Sequence, residues 1–84
     1  MDDFRKHVLF RLLAKHCIGA KHTAIEHAYG GVPKHAQFSV KYATVQLIRE
    51  EFILLKKTSY GDQVSLNPDK LPQIRRMLDS DSDL

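Results

Sequence analysis

The spacing of apolar and polar residues switches from helical to alternating at Phe52. Residues 36–67, AQFSVKYATVQLIREEFILLKKTSYGDQVSLN, span the switch. In the first half Val40, Ala43, Thr44 and Leu47 recur at helical spacing, with Ile48 at the edge of the stripe. One face of a helix therefore turns inward. Phe38, Lys41, Tyr42, Val45 and Arg49 share the opposite face. Phe52 and Ile53 then open a β-branched and aliphatic run. Thr58-Ser59-Tyr60-Gly61-Asp62 has turn chemistry, and Gly61 can supply a positive φ. Val64 and Leu66 alternate with Gln63, Ser65 and Asn67, the pattern of a half-buried return strand.

The flanking segments read as support. Residues 3–18 predict a first helix, with Asp3 as N-cap or first-turn acid and Gly19 as its terminator. Phe4, Val8 and Leu12 suffice to seat it on a core; Leu9, Phe10 and Leu13 then need another cover, either the C-terminal helix or a second subunit. Residues 20–23 are a short link. Thr23 with Glu26 matches a capping box for a second helix from Ala24 to about Tyr29, with Ile25 and Ala28 inward. Gly30-Gly31 stops it, and Val32-Pro33 makes an extended step into the third helix. After the hairpin, Asn67-Pro68-Asp69 is a helix start, and Leu71, Ile74, Met77 and Leu78 form a last stripe. Pro72 either bends that helix or marks its true beginning. Residues 79–84 read as a frayed acidic tail. The expected fold is α+β: a winged helix-turn-helix with a three-helix core, a two-stranded hairpin wing and a C-terminal helix, as one domain over residues 1–84. In such folds the link before the second helix often carries a brief strand that adds to the hairpin.

Charge sharpens this picture. The net charge of +3 hides an asymmetry, because five of the ten acids sit at the two ends of the 84-residue chain. Residues 4–78 hold all thirteen Lys and Arg against five acids, a net +8. That excess suits a polyanion or an anionic membrane surface, or is simply a solvated basic surface. The single Cys17 rules out an internal disulfide and a cysteine-based zinc cage. No signal-peptide pattern opens the chain and no apolar run approaches the ~20 residues of a membrane span, so a cytoplasmic protein without a membrane partner is expected. His7, His16, His22, His27 and His35 include no pair at i,i+4 spacing, which argues against a metal site. No nucleophile–base pattern and no phosphate-cradling glycine loop occurs. The expectation is a non-enzyme with no cofactor and no small-molecule ligand.

Lys34, His35, Lys41, Arg49, Lys56 and Lys57 cluster on the third helix and the ribbon, with Lys21 and His22 nearby in the link. Such residues make many of the phosphate contacts that hold a protein on DNA. Gln37 suits an adenine edge and Lys41 a guanine edge. Tyr42 can reach a phosphate with its hydroxyl or cover a thymine methyl, and His35 can contact a phosphate. Lys56 and Lys57 have a plainer alternative role, shielding a sheet edge. Phe38, Tyr42 and Val45 support a rival reading, an apolar patch for a protein partner or a second copy, unless the helix rolls and buries one aromatic.

Thr23-Ala24-Ile25-Glu26, Gly31-Val32-Pro33-Lys34-His35, Leu47-Ile48-Arg49-Glu50, Lys57-Thr58-Ser59-Tyr60-Gly61 and Val64-Ser65-Leu66-Asn67-Pro68 together resemble the pattern of small archaeal winged-helix proteins. The resemblance covers roughly residues 20–78. It implies a winged-helix fold and, by association, binding of double-stranded DNA in the manner of a transcription regulator. The surplus apolar surface of the first helix further suggests a homodimer through the first and last helices, placing two recognition helices on successive half-sites.

Overall fold

Val40, Ala43, Thr44 and Leu47 are all buried, and the helix they define, α2 (Gln37–Arg49), forms where their spacing predicts it. Thr44 is tolerated inside because its hydroxyl donates to the Val40 carbonyl at 2.8 Å. This computed structural model describes residues 3–79; of the frayed tail expected over 79–84, Asp79 is instead helical, and 80–84 lie outside the described residues. Over the described residues the fold is α+β: three α-helices and a three-stranded antiparallel sheet around a core in which Val8, Leu9, Leu12, Val40, Leu47, Ile53, Val64, Leu66 and Ile74 are fully or almost fully enclosed.

Helix α1 (Asp3–Ala14) is shorter than the expected 3–18. Its terminator is His16 rather than Gly19. His16 takes a left-handed φ of 56°, its N–H donates to Leu13 at 3.0 Å, and the Cys17 N–H reaches back to Leu12 at 3.0 Å. This double closure needs a left-handed residue but not a glycine. Glu51, with φ 66°, closes α2 the same way: Glu51 N–H donates to Ile48 and Phe52 N–H to Leu47. The apolar pair Leu47–Phe52 sits over that closure inside the core. Gly19 instead bends the link, donating to the Leu66 carbonyl at 2.9 Å.

Strand β1 (Thr23–Ala24), β2 (Ile53–Thr58) and β3 (Gly61–Leu66) are ordered β1-β3-β2, so the expected two-stranded ribbon is a three-stranded sheet with β3 at its centre. Thr23 pairs with Val64, which holds its backbone extended and prevents the capping box. The Thr23 hydroxyl is hydrogen-bonded to His27 Nδ1 at 2.6 Å, and the expected second helix is a single 3₁₀ turn, Ile25–Ala28, without a side-chain cap. Ala28 is buried and Ile25 packs on the core, as their inward placement anticipates. The central position of β3 also corrects Ser65. Expected outward, it is fully buried beneath the link, and its hydroxyl donates to the Gly19 carbonyl at 2.8 Å.

Asn67 caps the final helical segment as predicted, accepting the Asp69 N–H at 3.1 Å. A 3₁₀ turn at Pro68–Lys70 leads into α3 (Leu71–Asp79). Pro72 lies in its first turn, where a missing N–H costs nothing. Ile74 is buried, and Leu71, Met77 and Leu78 pack around the same core. Helix α1 is covered more fully than its sequence suggests. Leu9 is entirely enclosed, Leu13 packs against the core, and only Phe10, 61% exposed, is left of the three residues that called for a second subunit. Most of the surface on which the two-fold contact was expected is thus used within one chain. Among the described residues no helix is long and apolar enough to cross a membrane.

Candidate nucleic-acid interface

Helix α2 presents a face that the core does not claim. Because Val40, Ala43, Thr44 and Leu47 fill the inner stripe, the helix cannot roll to hide either aromatic. Phe38 is 83% exposed, Tyr42 61% and Val45 44%. With Lys41 they line a shallow groove of about 240 Å³. Lys41 and Arg49 are the only charged residues of α2, and both are exposed.

The entry to α2 is held from α1. His7 Nε2–H donates to the Gly30 carbonyl at 2.6 Å, and Arg11 Nε–H donates to the His27 carbonyl at 2.9 Å. The Arg11 guanidinium lies so close to Gly30 that a Cβ there would come within 2.9 Å of it, and Gly31 takes a φ of 80°. These two glycines let the turn run against α1, which sets the direction of α2. A 3₁₀ turn, Lys34–Ala36, leads in. Lys34 and His35 are exposed at this start, Ala36 offers no side-chain cap, and the first turn holds no acid. Cations at a helix start oppose the helix dipole, whereas a phosphate there is favoured.

Gln37 differs from the expectation. It is half-buried, and its Nε2 points at the Val32 carbonyl, 3.5 Å away, so it braces the turn rather than standing free for an adenine edge. Lys41 extends its ammonium over the Tyr29 ring, 5.6 Å from the centroid, while its stem forms one wall of the groove. Burial raises the Tyr29 hydroxyl above its ordinary pKa, and the nearby negative charges of Glu26 and Asp62 push it the same way. Tyr29 therefore sits between α2 and the hairpin.

The hairpin closes on a two-residue turn, Ser59-Tyr60, between paired Thr58 and Gly61. The Thr58 hydroxyl donates to the Gly61 carbonyl at 2.7 Å and accepts the Tyr60 N–H at 3.2 Å. Gly61 has φ 119°, the positive value its position in the sequence suggests. Lys56 and Lys57 are both exposed, but successive strand residues point to opposite faces, so they do not serve one surface. Lys57 shares its face with Ile53, Leu55 and Val64 and lies opposite Asp62; Lys56 lies opposite Gln63. Since β2 is an outer strand, edge shielding accounts for Lys56 without a ligand.

The structure thus brings Lys41, Tyr42 and Arg49 together on α2, which is about 20 Å long, with Lys34 and His35 on the 3₁₀ turn that leads into it. Two residues escaped the sequence reading. Tyr60, 97% exposed at the hairpin tip, was legible as an aromatic placed in a tight turn with nothing to pack on. Tyr29 gave no such signal, because its position depends on the hairpin folding back toward α2. Among the described residues no group of three His, Cys, Asp or Glu is arranged to hold a metal. No family model, curated protein or solved structure matches the chain.

Proposed function

We propose that the chain is a non-enzymatic DNA-binding protein of the winged-helix type, which lays α2 on duplex DNA and steadies it with the hairpin, as a transcription regulator does. The observation that carries this reading is the outward face of α2: exposed, devoid of acids, and led in by a basic helix start. Lys34 and His35 contact phosphates at the N-terminal end, and Arg49 does so at the other. Lys41 and Tyr42 lie between them, nearest to base edges. Lys57 supports the complex from the hairpin.

Titration of a random-sequence duplex at two salt concentrations tests the reading. Binding that weakens steeply with salt is the expected result. In the Arg49→Ala variant the slope of log K against log salt should fall by about 0.9, the signature of one lost phosphate contact. The exposure of Phe38 beside Tyr42 and Val45 favours a second reading, a winged-helix module that binds protein. Absence of duplex affinity at every salt concentration would select it.

A further inference from the structure

We infer that Phe38 and Tyr42 form a stacking platform for unpaired bases, so that the nucleic acid this site takes is one in which duplex meets single strand. The inference rests on the nucleic-acid reading of α2 and narrows it to a class of ligand.

Three features of the face lead there. The first is its chemistry. Base edges in an intact major groove are read mainly through hydrogen-bond donors and acceptors, the thymine methyl being their one apolar feature. The centre of this face is instead occupied by Phe38, Tyr42 and Val45, around an apolar groove whose fourth wall is the Lys41 stem. An 83% exposed phenylalanine has no hydrogen bond to offer. What it offers is a flat ring, and the π-faces of unpaired bases stack on such rings whatever their sequence.

The second feature is spacing. Phe38 and Tyr42 lie four residues apart, about 6 Å along the helix axis. Bases within a duplex strand follow one another at about 3.4 Å. A stacked strand cannot place neighbouring bases on both rings, whereas an unstacked, extended strand can.

The third feature is charge, which also decides against a second copy of this chain as the occupant. The ionisable groups on and leading into α2 that could carry charge are Lys34, His35, Lys41 and Arg49, with no acid among them. Two such faces brought together would set like charges against each other. Three side chains of these sizes cover roughly 400 Å², about half of the roughly 800 Å² that one partner contributes to a stable interface. An anionic backbone bearing flat apolar bases complements both the charge and the small area.

The test compares a blunt duplex with the same duplex carrying a short thymidine overhang, by fluorescence anisotropy at one salt concentration. A 2-aminopurine at the first unpaired position reports stacking directly. The overhang ligand should bind about tenfold more tightly than the blunt one, with quenched 2-aminopurine emission. Phe38→Leu and Tyr42→Leu keep an apolar side chain on an exposed position, and unchanged circular dichroism verifies their fold. Each should bring the ratio of the two affinities towards one and restore the emission. Arg49→Ala, outside the groove, should weaken both ligands and leave the ratio standing. Equal binding of blunt and overhang ligands, with unquenched emission, overturns the inference while leaving duplex binding intact. A ratio that collapses in Arg49→Ala but survives in both leucine variants also overturns it, because charge rather than stacking then carries the preference. Failure to bind either ligand at any salt overturns the nucleic-acid reading itself and points to a protein partner.

Discussion

Helices α2 and α3 begin in opposite ways. At the 3₁₀ turn that leads into α3 each local rule is met: Asn67 accepts the Asp69 N–H, Pro68 takes the position where a missing N–H is harmless, and Asp69 places negative charge at the positive end of the dipole. At α2 none is met, since Ala36 cannot cap, the first turn has no acid, and Lys34 and His35 stand where acids would be favoured. Packing explains how both persist. Helix α2 buries Val40, Ala43, Thr44 and Leu47, while α3 buries only Ile74 completely. A helix fixed by its inner face tolerates a start of the wrong sign, and that freedom leaves its outer face and its basic start available for a ligand. A helix with a thinner inner face needs its cap.

The largest effect should come from removing what holds α2. Leu47 is fully buried and packs in the core cluster with Phe52, the residue that closes the helix. Leu47→Ala should cost about 2–5 kcal/mol, a large share of the total stability of so small a domain. Urea unfolding reads this directly. A loss below about 1 kcal/mol would mean that α2 does not depend on its inner face, and the contrast with α3 would collapse. The cap of α3 comes next. Asn67→Ala should cost about 1–2 kcal/mol by leaving the Asp69 N–H without its side-chain acceptor. Asn67 also donates to the Glu51 carbonyl at 2.8 Å, so the loss should sit at the upper end of the cap range, and a neutral outcome would show that α3 too is held by packing alone.

Reversing the charge at the start of α2 should act in two directions at once. Lys34→Glu places an acid near the positive end of the dipole and should stabilise the domain by about 0.3–1 kcal/mol at low salt. The same change removes a proposed phosphate contact and adds repulsion, so duplex affinity should fall even as the melting temperature rises. A residue kept only for a solvated surface would show the first effect without the second. Stability and affinity rising together would remove Lys34 from the interface.

The contrast between the helix starts was visible in the sequence, because caps and dipoles act between near neighbours. Asn67-Pro68-Asp69 and the bare Ala36 can be compared without any tertiary knowledge, and the period change at Phe52 located the hairpin correctly. What the sequence misled on were the places where a distant partner overrides a local preference. Thr23 is a good cap, yet its pairing with Val64 holds it in a strand and shrinks the second helix to one turn. Ser65 is polar, yet the central place of β3 buries it. His16 and Glu51 close helices in a conformation for which glycine is the usual signal. On the outward face the placement of Phe38, Lys41, Tyr42 and Arg49 was legible, because only the inner stripe had to be identified. Gln37 was not, since its contact with Val32 depends on the bend imposed by Gly31 and Pro33.

The far end of α2 supplies the smallest test. Glu50 follows Arg49 and pairs with Arg5 of α1, in an ion pair that ties this end of the helix to the rest of the domain. The hydrogen bond from Arg5 holds the Glu50 carboxyl below its ordinary pKa of 4.5; burial opposes this, and the charge of Arg5 adds to it. A lowered carboxylate pKa means that the folded state releases its proton more readily than the unfolded one. The stabilisation is therefore present above the unfolded value and is lost as pH falls through the folded one. The Glu50 side chain is 46% exposed, so solvent and salt screen the pair and the effect should be smaller than that of the charge reversal at Lys34. Thermal melts of the parent and of Glu50→Gln between neutral pH and acid should show the parent more stable at neutral pH. The two curves should converge only below pH 4.5, and duplex affinity should differ little between them. Convergence well above that pH would mean that the pair does not form in solution. A large loss of duplex affinity in Glu50→Gln would mean that the orientation of α2 depends on its far end as well as on the turn that His7 and Arg11 hold.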